Sequence, residues 1–491
     1  MNSDWNYNFA LQQTKVTKMK FHKVNNQHIF SFQNILGKEN VLVDKDSLEK
    51  YSSDETEDLA FLPEVVLKPN LPEQISEILK ICNKELIPVT PRGAGTGLSG
   101  GALAVFGGVI LSTERLNKIL EIDERNLQAT VEPGVITQPF QEAVIEKGLF
   151  YPPDPSSRGS CFLGGNLAES AGGPRAVKYG VTKDYVLNTQ VVLPTGEIIW
   201  TGANVLKNST GYNLTQLIVG SEGTLGVITK IVFKLLPHPK KNVVMLIPFF
   251  SAEKACEAVS AVFRAGIIPS AMEFMERDAI DWAIKYVSAV VPLSLGRGVR
   301  GEVAAHLLVE VDGNDLDVMM KDVEKISEVM THYECDEILF ADTEEQKQNL
   351  WRMRRSIGEA VKSHSIYKEE DTVVPRAELP KLLSGVKAIG KKYGFKSVCY
   401  GHAGDGNLHV NIIRENLSDE KWNNEIPNKA IPEIFKLCVS LKGTLSGEHG
   451  IGWVQKNYMN IAFHPKALEL QKEIKKLFDP NGIMNPGKMF L

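Results

Sequence analysis

The sequence predicts an α+β protein with two large domains. Its first half mixes short strand-like runs with helices and glycine-rich loops, which favours strands of mixed direction. Its second half alternates strands with amphipathic helices, as in a ferredoxin-like antiparallel sheet covered by helices. Between the halves lies Pro237-His238-Pro239, and two prolines in three residues end regular structure. A chain of 491 residues is also longer than one ordinary hydrophobic core requires.

The first half divides into elements by its apolar periodicity. Residues 1–55 are polar and weakly periodic, so we expect an N-terminal extension with some strand. Pro72 begins a helix whose apolar side chains recur at helical spacing. Strands are expected at 87–90, 108–112 and 129–131, a helix at 137–147, and a hairpin of strands 189–193 and 197–200.

The second half predicts three strands and three helices before its histidine-rich motifs. The strands are 243–248, 271–274 and 306–311, and the helices are 252–265, 278–287 and 315–330. We therefore expect a first domain at 56–238, a second at 239–445, and a C-terminal segment at 446–491. That last segment is rich in turn-forming residues and is expected to pack back on the first domain.

Composition narrows the classes of function. The formal net charge is -5 and no long basic run occurs, which argues against a nucleic-acid partner. The six cysteines are scattered without a Cys-x-x-Cys pair, which argues against a zinc ribbon, an iron–sulfur cluster and a disulfide framework. No apolar run is long enough for a signal peptide or a membrane span. We expect a cytoplasmic protein, with peripheral attachment to a membrane as the alternative.

Residues 91–102, Pro-Arg-Gly-Ala-Gly-Thr-Gly-Leu-Ser-Gly-Gly-Ala, form a glycine-rich loop. Its 95–100 portion matches G-x-G-x-x-G, but the glycines that follow exclude the helix a Rossmann fold requires. Glycines let successive backbone N–H groups turn toward one anion such as a pyrophosphate, and Arg92, Thr96 and Ser99 can add donors. For this stretch alone, a glycine-rich turn without a ligand remains the alternative.

Two further motifs, at 401–411 and 446–450, combine histidines with a carboxylate. If 404–407 is a hairpin turn, His402 lies opposite His409, both rings project from one sheet face, and Asn411 shares that face. The alternative is two turn-flanking histidines with unrelated partners. Glu448 and His449 add a third ligand and a base, so the set indicates a divalent metal site.

The chain closely resembles a family of flavoproteins over almost its whole length. The segments that carry the resemblance are 91–102, 153–157, 164–168, 172–180, 211–214, 220–226, 401–411, 446–450 and 485–488. They are similar to the FAD-linked D-2-hydroxy-acid dehydrogenases of the vanillyl-alcohol-oxidase (PCMH) type, a branch that includes D-lactate dehydrogenase, D-2-hydroxyglutarate dehydrogenase and glycolate oxidase. The resemblance implies an FAD-binding domain of two α+β subdomains and a ferredoxin-like α+β cap domain.

The resemblance also implies the cofactor. FAD is expected to lie extended in the first domain and to be non-covalent, since 91–102 contains no histidine for attachment. The implied cofactor-binding residues are Pro91, Arg92, Gly93, Ala94, Gly95, Thr96, Gly97, Leu98, Ser99, Asp154, Pro155, Ser156, Gly164, Gly165, Asn166, Ala171, Gly172, Gly173, Glu222, Gly223, Ile228 and Asn485.

By the same resemblance, the two histidine motifs form the reaction site. His402, His409 and Glu448 are implied to bind a divalent metal, with zinc favoured over manganese. His449 is the implied base that takes the hydroxyl proton while hydride passes to flavin N5. Arg354 and Asn411 are the implied substrate-binding residues, and the neighbouring Arg352 and Arg355 are expected on a solvated face.

The implied reaction is oxidation of a small D-2-hydroxy acid to the 2-oxo acid. Hydroxyglutarate-type members have a threonine at the position of Gly358, and Lys368 is one position away from their lysine, which favours D-lactate or glycolate. Electrons must pass to an external acceptor: a quinone, an electron-transfer flavoprotein or partner subunits. The oligomeric state stays open, with a homodimer among the alternatives.

Two other functions are compatible with this fold. One is a non-redox flavoenzyme of the alkylglycerone-phosphate-synthase type, against which the histidine–glutamate set argues. The other is a flavin-binding subunit of a glycolate oxidase complex without chemistry of its own, against which His449 argues.

Overall fold

The computed structural model describes residues 21–290 and 303–490. Residues 1–20 of the predicted N-terminal extension lie outside the described residues, as do 291–302 and Leu491.

Among the described residues, two large sheets and one two-stranded sheet form the first domain, and a seven-stranded sheet forms the second. The strands are β1 (Val41–Leu42), β2 (Val65–Leu67), β3 (Val89–Arg92), β4 (Val109–Ser112), β5 (Ile119–Asp123), β6 (Gln128–Val131), β7 (Leu149–Phe150), β8 (Val186–Val192), β9 (Ile198–Trp200), β10 (Val227–Lys234), β11 (Leu236–Pro237), β12 (Lys241–Phe249), β13 (Ala271–Glu276), β14 (Ala305–Gly313), β15 (Leu339–Phe340), β16 (Tyr367–Val373), β17 (Lys396–Gly401) and β18 (Asn407–Ile413).

The helices cover these sheets and connect their strands. They are α1 (Asn26–Leu36), α2 (Lys45–Glu49), α3 (Pro72–Glu85), α4 (Thr137–Ile145), α5 (Leu163–Glu169), α6 (Ala176–Tyr179), α7 (Leu214–Ile218), α8 (Ala252–Arg264), α9 (Arg277–Val290), α10 (Leu316–Thr331), α11 (Glu344–Arg355), α12 (Ile357–His364), α13 (Leu379–Tyr393), α14 (Ile431–Ser440), α15 (Met459–Ala462) and α16 (Pro465–Phe478).

The first domain contains two α+β subdomains with strands of mixed direction, as the sequence predicts. One sheet has the order β1-β2-β4-β3, in which β2 and β3 run parallel to β4. The other has the order β5-β6-β10-β8-β9 and is antiparallel throughout. The predicted hairpin is β8–β9, which pairs Val192 with Ile198. The α+β class is therefore confirmed.

The second domain is one antiparallel sheet of seven strands, in the order β15-β12-β14-β13-β17-β18-β16. Side chains alternate along each strand, so Met245 and Ile247 of β12 enter one core while Val244 and Leu246 enter another. Helices α8, α10, α13 and α14 cover the first face, and α9, α11 and α12 cover the second. The second face matters for function, because α11 and α12 contribute to the cavity described below.

Both ends of the described chain pack on the first sheet. Phe32 of α1 is fully buried in the same core as Val65 and Val89. Met484 bridges to Val89, and the Asn485 amide donates to the Gly101 and Glu222 carbonyls at 2.9 and 2.7 Å. Residues 21–55 thus form part of the first domain's core, while the domain boundaries themselves stay predictions.

Within 21–290 and 303–490, no helix combines the length and the apolarity that crossing a membrane requires.

Candidate active site

A cavity of about 450 Å³ lies between the two domains. The glycine-rich loop lines one part of it, while α11, α12 and the histidine motifs line another. A cavity of this size, with polar groups from several elements, is typical of a cofactor and substrate site. The two groups of motifs, far apart in sequence, therefore share one site.

The glycine-rich loop presents unpaired backbone donors to this cavity. Among the described residues, no protein acceptor is found for the N–H groups of residues 93–99. Gly95 has φ +76°, and a Cβ at this position would collide with the Arg92 guanidinium, so glycine is required there. Unpaired N–H groups facing a cavity are what a pyrophosphate needs, so the loop fits the predicted cofactor.

Most of the predicted cofactor residues line the cavity. They are Pro91, Arg92, Gly93, Ala94, Gly95, Thr96, Gly97, Leu98, Pro155, Ser156, Gly164, Gly165, Asn166, Ala171, Glu222, Gly223 and Ile228.

The other predicted cofactor residues do not line the cavity and instead contact neighbouring segments of the site; they are Ser99, Asp154, Gly172, Gly173 and Asn485. The Ser99 carbonyl accepts from Trp453 N–H at 2.8 Å. The Gly172 N–H donates to Glu448 Oε2 at 3.2 Å, and Gly173 packs on the backbone of Asp154. Asn485 binds backbone carbonyls. Their direct contact with FAD stays a prediction.

The two predicted metal-binding imidazoles converge on one carboxylate oxygen. His402 Nε2 lies 3.1 Å and His409 Nε2 lies 3.6 Å from Glu448 Oε1. One ligand atom from each of these three residues lies within 4.8 Å of the others. Two imidazole nitrogens and one carboxylate oxygen suit zinc and leave open positions for substrate. The residues present therefore fit a divalent metal.

Each imidazole also has a buried carboxylate on its other nitrogen. His402 Nδ1 lies 2.8 Å from Glu273 Oε2, and His409 Nδ1 lies 3.2 Å from Glu369 Oε1. His409 Nδ1 makes no hydrogen bond to a described residue, whereas Glu273 accepts from His402 Nδ1, which holds the proton there and leaves Nε2 of that ring free as a ligand atom. This arrangement is common around metal-binding histidines and supports the assignment of Nε2 to the metal.

The predicted turn between the histidines exists, but the predicted pairing is wrong. His409 lies opposite Tyr400, not opposite His402, because the turn extends back to His402 and includes a short 3-10 segment. The imidazoles still meet, with ring centroids 5.4 Å apart at 82°. The site thus forms by a different register from the one the sequence predicts.

Asp371 of β16 anchors the segment that carries Glu448 and His449. Its Oδ2 accepts from the N–H groups of Gly447, Glu448 and His449 at 2.8, 2.7 and 2.9 Å. The Ser446 hydroxyl donates to the same oxygen at 2.7 Å. One buried carboxylate therefore fixes four successive residues of the motif against the sheet.

His449 lies parallel to His409 and lines the cavity. The ring centroids are 5.1 Å apart at an interplanar angle of 17°. Its side chain makes no hydrogen bond to any residue that the structure describes. Burial alone would lower the pKa of His449, but Asp371, Glu369 and Glu448 together raise it above its ordinary value.

Glu448 stays ionised in this surrounding. Burial would raise the pKa of its carboxyl group, but His402, His409 and His449 hold that pKa well below its usual range. The same balance acts on Glu273, whose pKa is raised by burial but lowered more by His402 and Arg354. Both carboxylates are therefore available as charged ligands or acceptors at neutral pH.

Arg354 is the predicted substrate-binding residue, and it lines the cavity although it is buried. Its Nη2 lies 2.6 Å from Glu273 Oε2, and its guanidinium lies 5.2 Å from the Tyr400 ring centroid. Its Nε is buried and has no hydrogen-bond partner among the described residues. A guanidinium with a free N–H at the cavity can bind a carboxylate.

Arg355 does not lie on a solvated face, as the sequence suggested. Its Nη2 lies 2.6 Å from Asp154 Oδ2, which also lies 3.8 Å from Arg175 Nε. The expectation is wrong because α11 packs against the first domain and not against solvent.

Asn411 and Lys368 lie away from the cavity. Asn411 is fully buried, and its amide donates to the Val398 carbonyl at 3.3 Å. Its predicted contact with substrate stays a prediction. Lys368 Nζ lies 4.6 Å from the Trp422 ring centroid, whereas its strand neighbours Tyr367 and Glu369 line the cavity.

Glu273, Glu369 and Asp371 are the site residues that sequence reasoning missed. Glu369 and Asp371 pair with Asn411 and His409 across β16 and β18, a relation that depends on register. Glu273 is a fully buried charge within the strand Ala-Met-Glu-Phe-Met-Glu. A lone glutamate in an apolar strand was the available signal, because a buried charge needs a partner.

Glu222 connects the first domain to the loop after His449. Its oxygens accept from the N–H groups of Ile451 and Gly452 at 2.8 and 2.7 Å. Burial raises its pKa to about 7, although these two hydrogen bonds oppose the shift. Glu222 thus lines the cavity and also positions the C-terminal segment.

Comparison with known families and curated relatives shows that the chain is an FAD-dependent oxidoreductase. Residues 63–202 match the FAD binding domain family, and residues 238–489 match the family described as FAD linked oxidases, C-terminal domain. The chain therefore belongs to the FAD-linked oxidases.

Curated relatives and solved structures agree with this membership. The chain is 40% identical over 443 residues to glycolate oxidase subunit GlcD of Bacillus subtilis, covering 90% of this chain and 92% of that protein. It is 36% identical over 476 residues to D-lactate dehydrogenase of Anaerostipes hadrus, covering 96% and 99%. It superposes on p-cresol methylhydroxylase with a TM-score of 0.77 at 19% identity, covering 94% and 96%. The last comparison confirms the PCMH-type fold.

Proposed function

We propose that this protein oxidises a small D-2-hydroxy acid, D-lactate or glycolate, to the 2-oxo acid, with FAD and a divalent metal as cofactors. The observation that carries the proposal is the convergence of His402, His409 and Glu448, because His409 and Glu448, together with His449, line the same cavity as the glycine-rich loop. Relatives named as a glycolate oxidase subunit and a D-lactate dehydrogenase support the same reaction class.

The substrate carboxylate is assigned to Arg354. Its guanidinium is a buried cation at the cavity near Tyr400, and it has an unpaired Nε–H among the described residues. A guanidinium binds a carboxylate with directional N–H groups and stays charged at any working pH. This contact orients the acid so that its Cα carries the hydroxyl toward the imidazoles.

His449 is assigned as the base for the hydroxyl proton. Its ring is free of hydrogen bonds to the described residues and lines the cavity next to His409. Asp371 fixes the His449 backbone, so the ring is held in place without using its nitrogens. FAD supplies the hydride acceptor when bound.

His402, His409 and Glu448 are the proposed metal ligands, with zinc favoured over manganese. A divalent cation held there would supply Lewis acidity toward an α-hydroxy acid. Its charge would also oppose the rise in the pKa of His449 that Asp371, Glu369 and Glu448 cause.

A small monocarboxylic substrate is favoured over 2-hydroxyglutarate. Lys368 lies on the opposite face of β16 from the cavity and so cannot bind a second carboxylate there. Glu369, which does line the cavity, would repel one. We propose that an external acceptor reoxidises the flavin: a quinone, an electron-transfer flavoprotein or partner subunits.

The test is the visible spectrum of the purified protein, recorded without oxygen before and after addition of D-lactate, glycolate and D-2-hydroxyglutarate. Bleaching of oxidised FAD by D-lactate or glycolate, and not by their L-isomers where these exist, is the expected result. A flavin that no hydroxy acid bleaches would favour a non-redox flavoenzyme or a partner subunit. Metal content, measured on the same sample, tests the ligand assignment separately.

A further inference from the structure

The buried carboxylate of Glu273 contacts both halves of the reaction site. Oε2 lies 2.8 Å from His402 Nδ1 and 2.6 Å from Arg354 Nη2, and Oε1 lies 3.0 Å from His402 Nδ1. Glu273 does not line the cavity and is fully buried, so it acts only through these two neighbours.

We propose that Glu273 is a positioning residue that couples the metal site to the substrate-carboxylate site. This inference rests on the proposed function and extends it. By accepting from His402 Nδ1–H, Glu273 directs Nε2 of that ring toward Glu448. By pairing with Arg354, the same carboxylate fixes the guanidinium at the cavity. One carboxylate thus sets the distance between the proposed metal ligand His402 and the proposed substrate-binding Arg354.

The position of Glu273 in the sheet explains how it reaches both partners. It lies on β13, whose neighbour β17 ends just before His402. Met272 and Phe274, on either side of it, enter the core on the opposite face. The Glu273 side chain therefore emerges on the face that α11 covers, and α11 carries Arg354.

Glu369 provides a matched comparison, because it shares with Glu273 the contact to a predicted metal ligand but not the ion pair with an arginine. Its Oε1 lies 3.2 Å from His409 Nδ1, so it also supports a predicted metal ligand. Among the described residues it makes no ion pair with an arginine or a lysine. Loss of the Glu369 charge should therefore weaken metal binding without weakening carboxylate binding, whereas loss of the Glu273 charge should weaken both.

The test uses Glu273→Gln in the FAD-loaded protein, with two binding measurements that need no turnover. An amide oxygen in the Oε2 position can still face both partners, but it carries no charge, and its NH2 group then faces the His402 Nδ1–H from the Oε1 position, so both contacts weaken. Zinc affinity, measured by calorimetry after metal removal, should fall roughly 10- to 100-fold. Oxalate affinity of the metal-free protein should fall about 10-fold, as for loss of a hydrogen bond to a charged group.

Two control variants distinguish loss of the coupling from a general structural effect of removing a buried carboxylate. Glu369→Gln should weaken zinc but should not weaken metal-free oxalate binding, because the lost cavity charge repels an anion. Glu276→Gln removes a buried carboxylate on the same strand that pairs with Lys387 at 2.8 Å, away from the site, and should change neither affinity. If Glu273→Gln weakens zinc alone, oxalate alone, or neither, the coupling role is refuted.

A second variant keeps the inference testable if Glu273→Gln does not fold. Arg354→Lys keeps the charge but changes the geometry at Glu273, so it should weaken zinc a few-fold although Arg354 is not a ligand. Unchanged zinc affinity in a folded Arg354→Lys protein would refute the coupling. These binding measurements do not depend on the proposed reaction. If the proposed function is wrong, hydroxy acids will not bleach the flavin of the unsubstituted protein.

Discussion

At the scale of single residues, His402 and His409 each contact carboxylates through both of their ring nitrogens. The Nε2 atoms of His402 and His409 meet at Glu448, and their Nδ1 atoms face Glu273 and Glu369. His449 is different, because no described residue holds its ring nitrogens. The proposed ligands and the proposed base therefore differ in their hydrogen-bonding partners, although all three are histidines.

His449→Ala should keep bound FAD and metal but reduce the rate of flavin reduction by roughly 10²- to 10⁴-fold, because a general base contributes about that much. Anaerobic stopped-flow absorbance with the best hydroxy acid measures the rate. His332→Ala, a substitution of an exposed histidine, is the control. Near-normal reduction by the His449 variant would remove it from the mechanism.

His402→Ala should instead lose the metal while keeping FAD. One of two imidazole ligands is removed, and the ionised Glu273 and Glu448 are left facing an empty space. Metal analysis of the purified protein together with its flavin absorbance measures both. Full metal content in this variant would contradict the ligand assignment.

At the scale of elements, strand β16 holds the C-terminal motif in place. Asp371 accepts hydrogen bonds from three successive N–H groups, and the neighbouring strand β18 carries His409 directly opposite Asp371. The hairpin β17–β18 and the segment 446–449 are thereby fixed to one another. The catalytic geometry depends on this pairing of strands as much as on the side chains.

Asp371→Asn should lower the free energy of unfolding by about 2 kcal/mol, since charge-assisted hydrogen bonds become neutral ones. It should also weaken metal binding by displacing Glu448. Chemical denaturation and metal titration measure the two effects. A variant that loses stability but binds metal as tightly as the unsubstituted protein would show that the Asp371 anchor does not position Glu448.

Strand β14 carries a buried neutral histidine that predicts a pH effect. Burial, with Arg277 nearby, lowers the pKa of His306 to about 4, against about 6.5 in an unfolded chain. Between these values the unfolded chain binds a proton that the folded protein does not, so stability falls as pH drops from about 6.5 to about 4.

His306→Leu removes this titration. From pH 7 to pH 4 the unsubstituted protein should lose about 3 kcal/mol more stability than the variant. Thermal unfolding followed across that range measures the difference, and the two proteins should have the same pH dependence above pH 7. Parallel curves below pH 6 would mean that His306 is already protonated in the folded state.

At the scale of the whole molecule, the candidate active site lies where the domains meet. The glycine-rich loop belongs to the first domain, Arg354, Tyr400, His402 and His409 to the second, and His449 to the C-terminal segment. Asp154 fixes this junction, because it pairs with Arg355 across the interface and with Arg158 at 3.3 Å within the first domain.

Asp154→Asn should lower the free energy of unfolding by about 3 kcal/mol, since a buried carboxylate is removed from among several arginines. It should also raise KM for the hydroxy acid, because Arg355 is adjacent to Arg354. Thermal unfolding and steady-state kinetics measure these effects. Weaker FAD binding with unchanged stability would instead support the direct flavin contact that the sequence predicts for Asp154.

The sequence alone predicted the α+β class, and its resemblance to a flavoprotein family implied the FAD-binding loop and the roles of His402, His409, Glu448 and His449. Local patterns contributed the glycine-rich loop and the spacing of ligand-type residues, because these depend on nearby positions only. The sequence did not reveal Glu273, Glu369 and Asp371 as their partners.

Only the tertiary structure decided those partnerships. Strand register placed Asp371 opposite His409, and β13 brought Glu273 between His402 and Arg354. The packing of α11 against the first domain also placed Arg355 beside Asp154 and not in solvent. The physical reason is that a buried charge is stabilised by whichever groups the fold brings within a few ångströms, and most of those groups are distant in sequence.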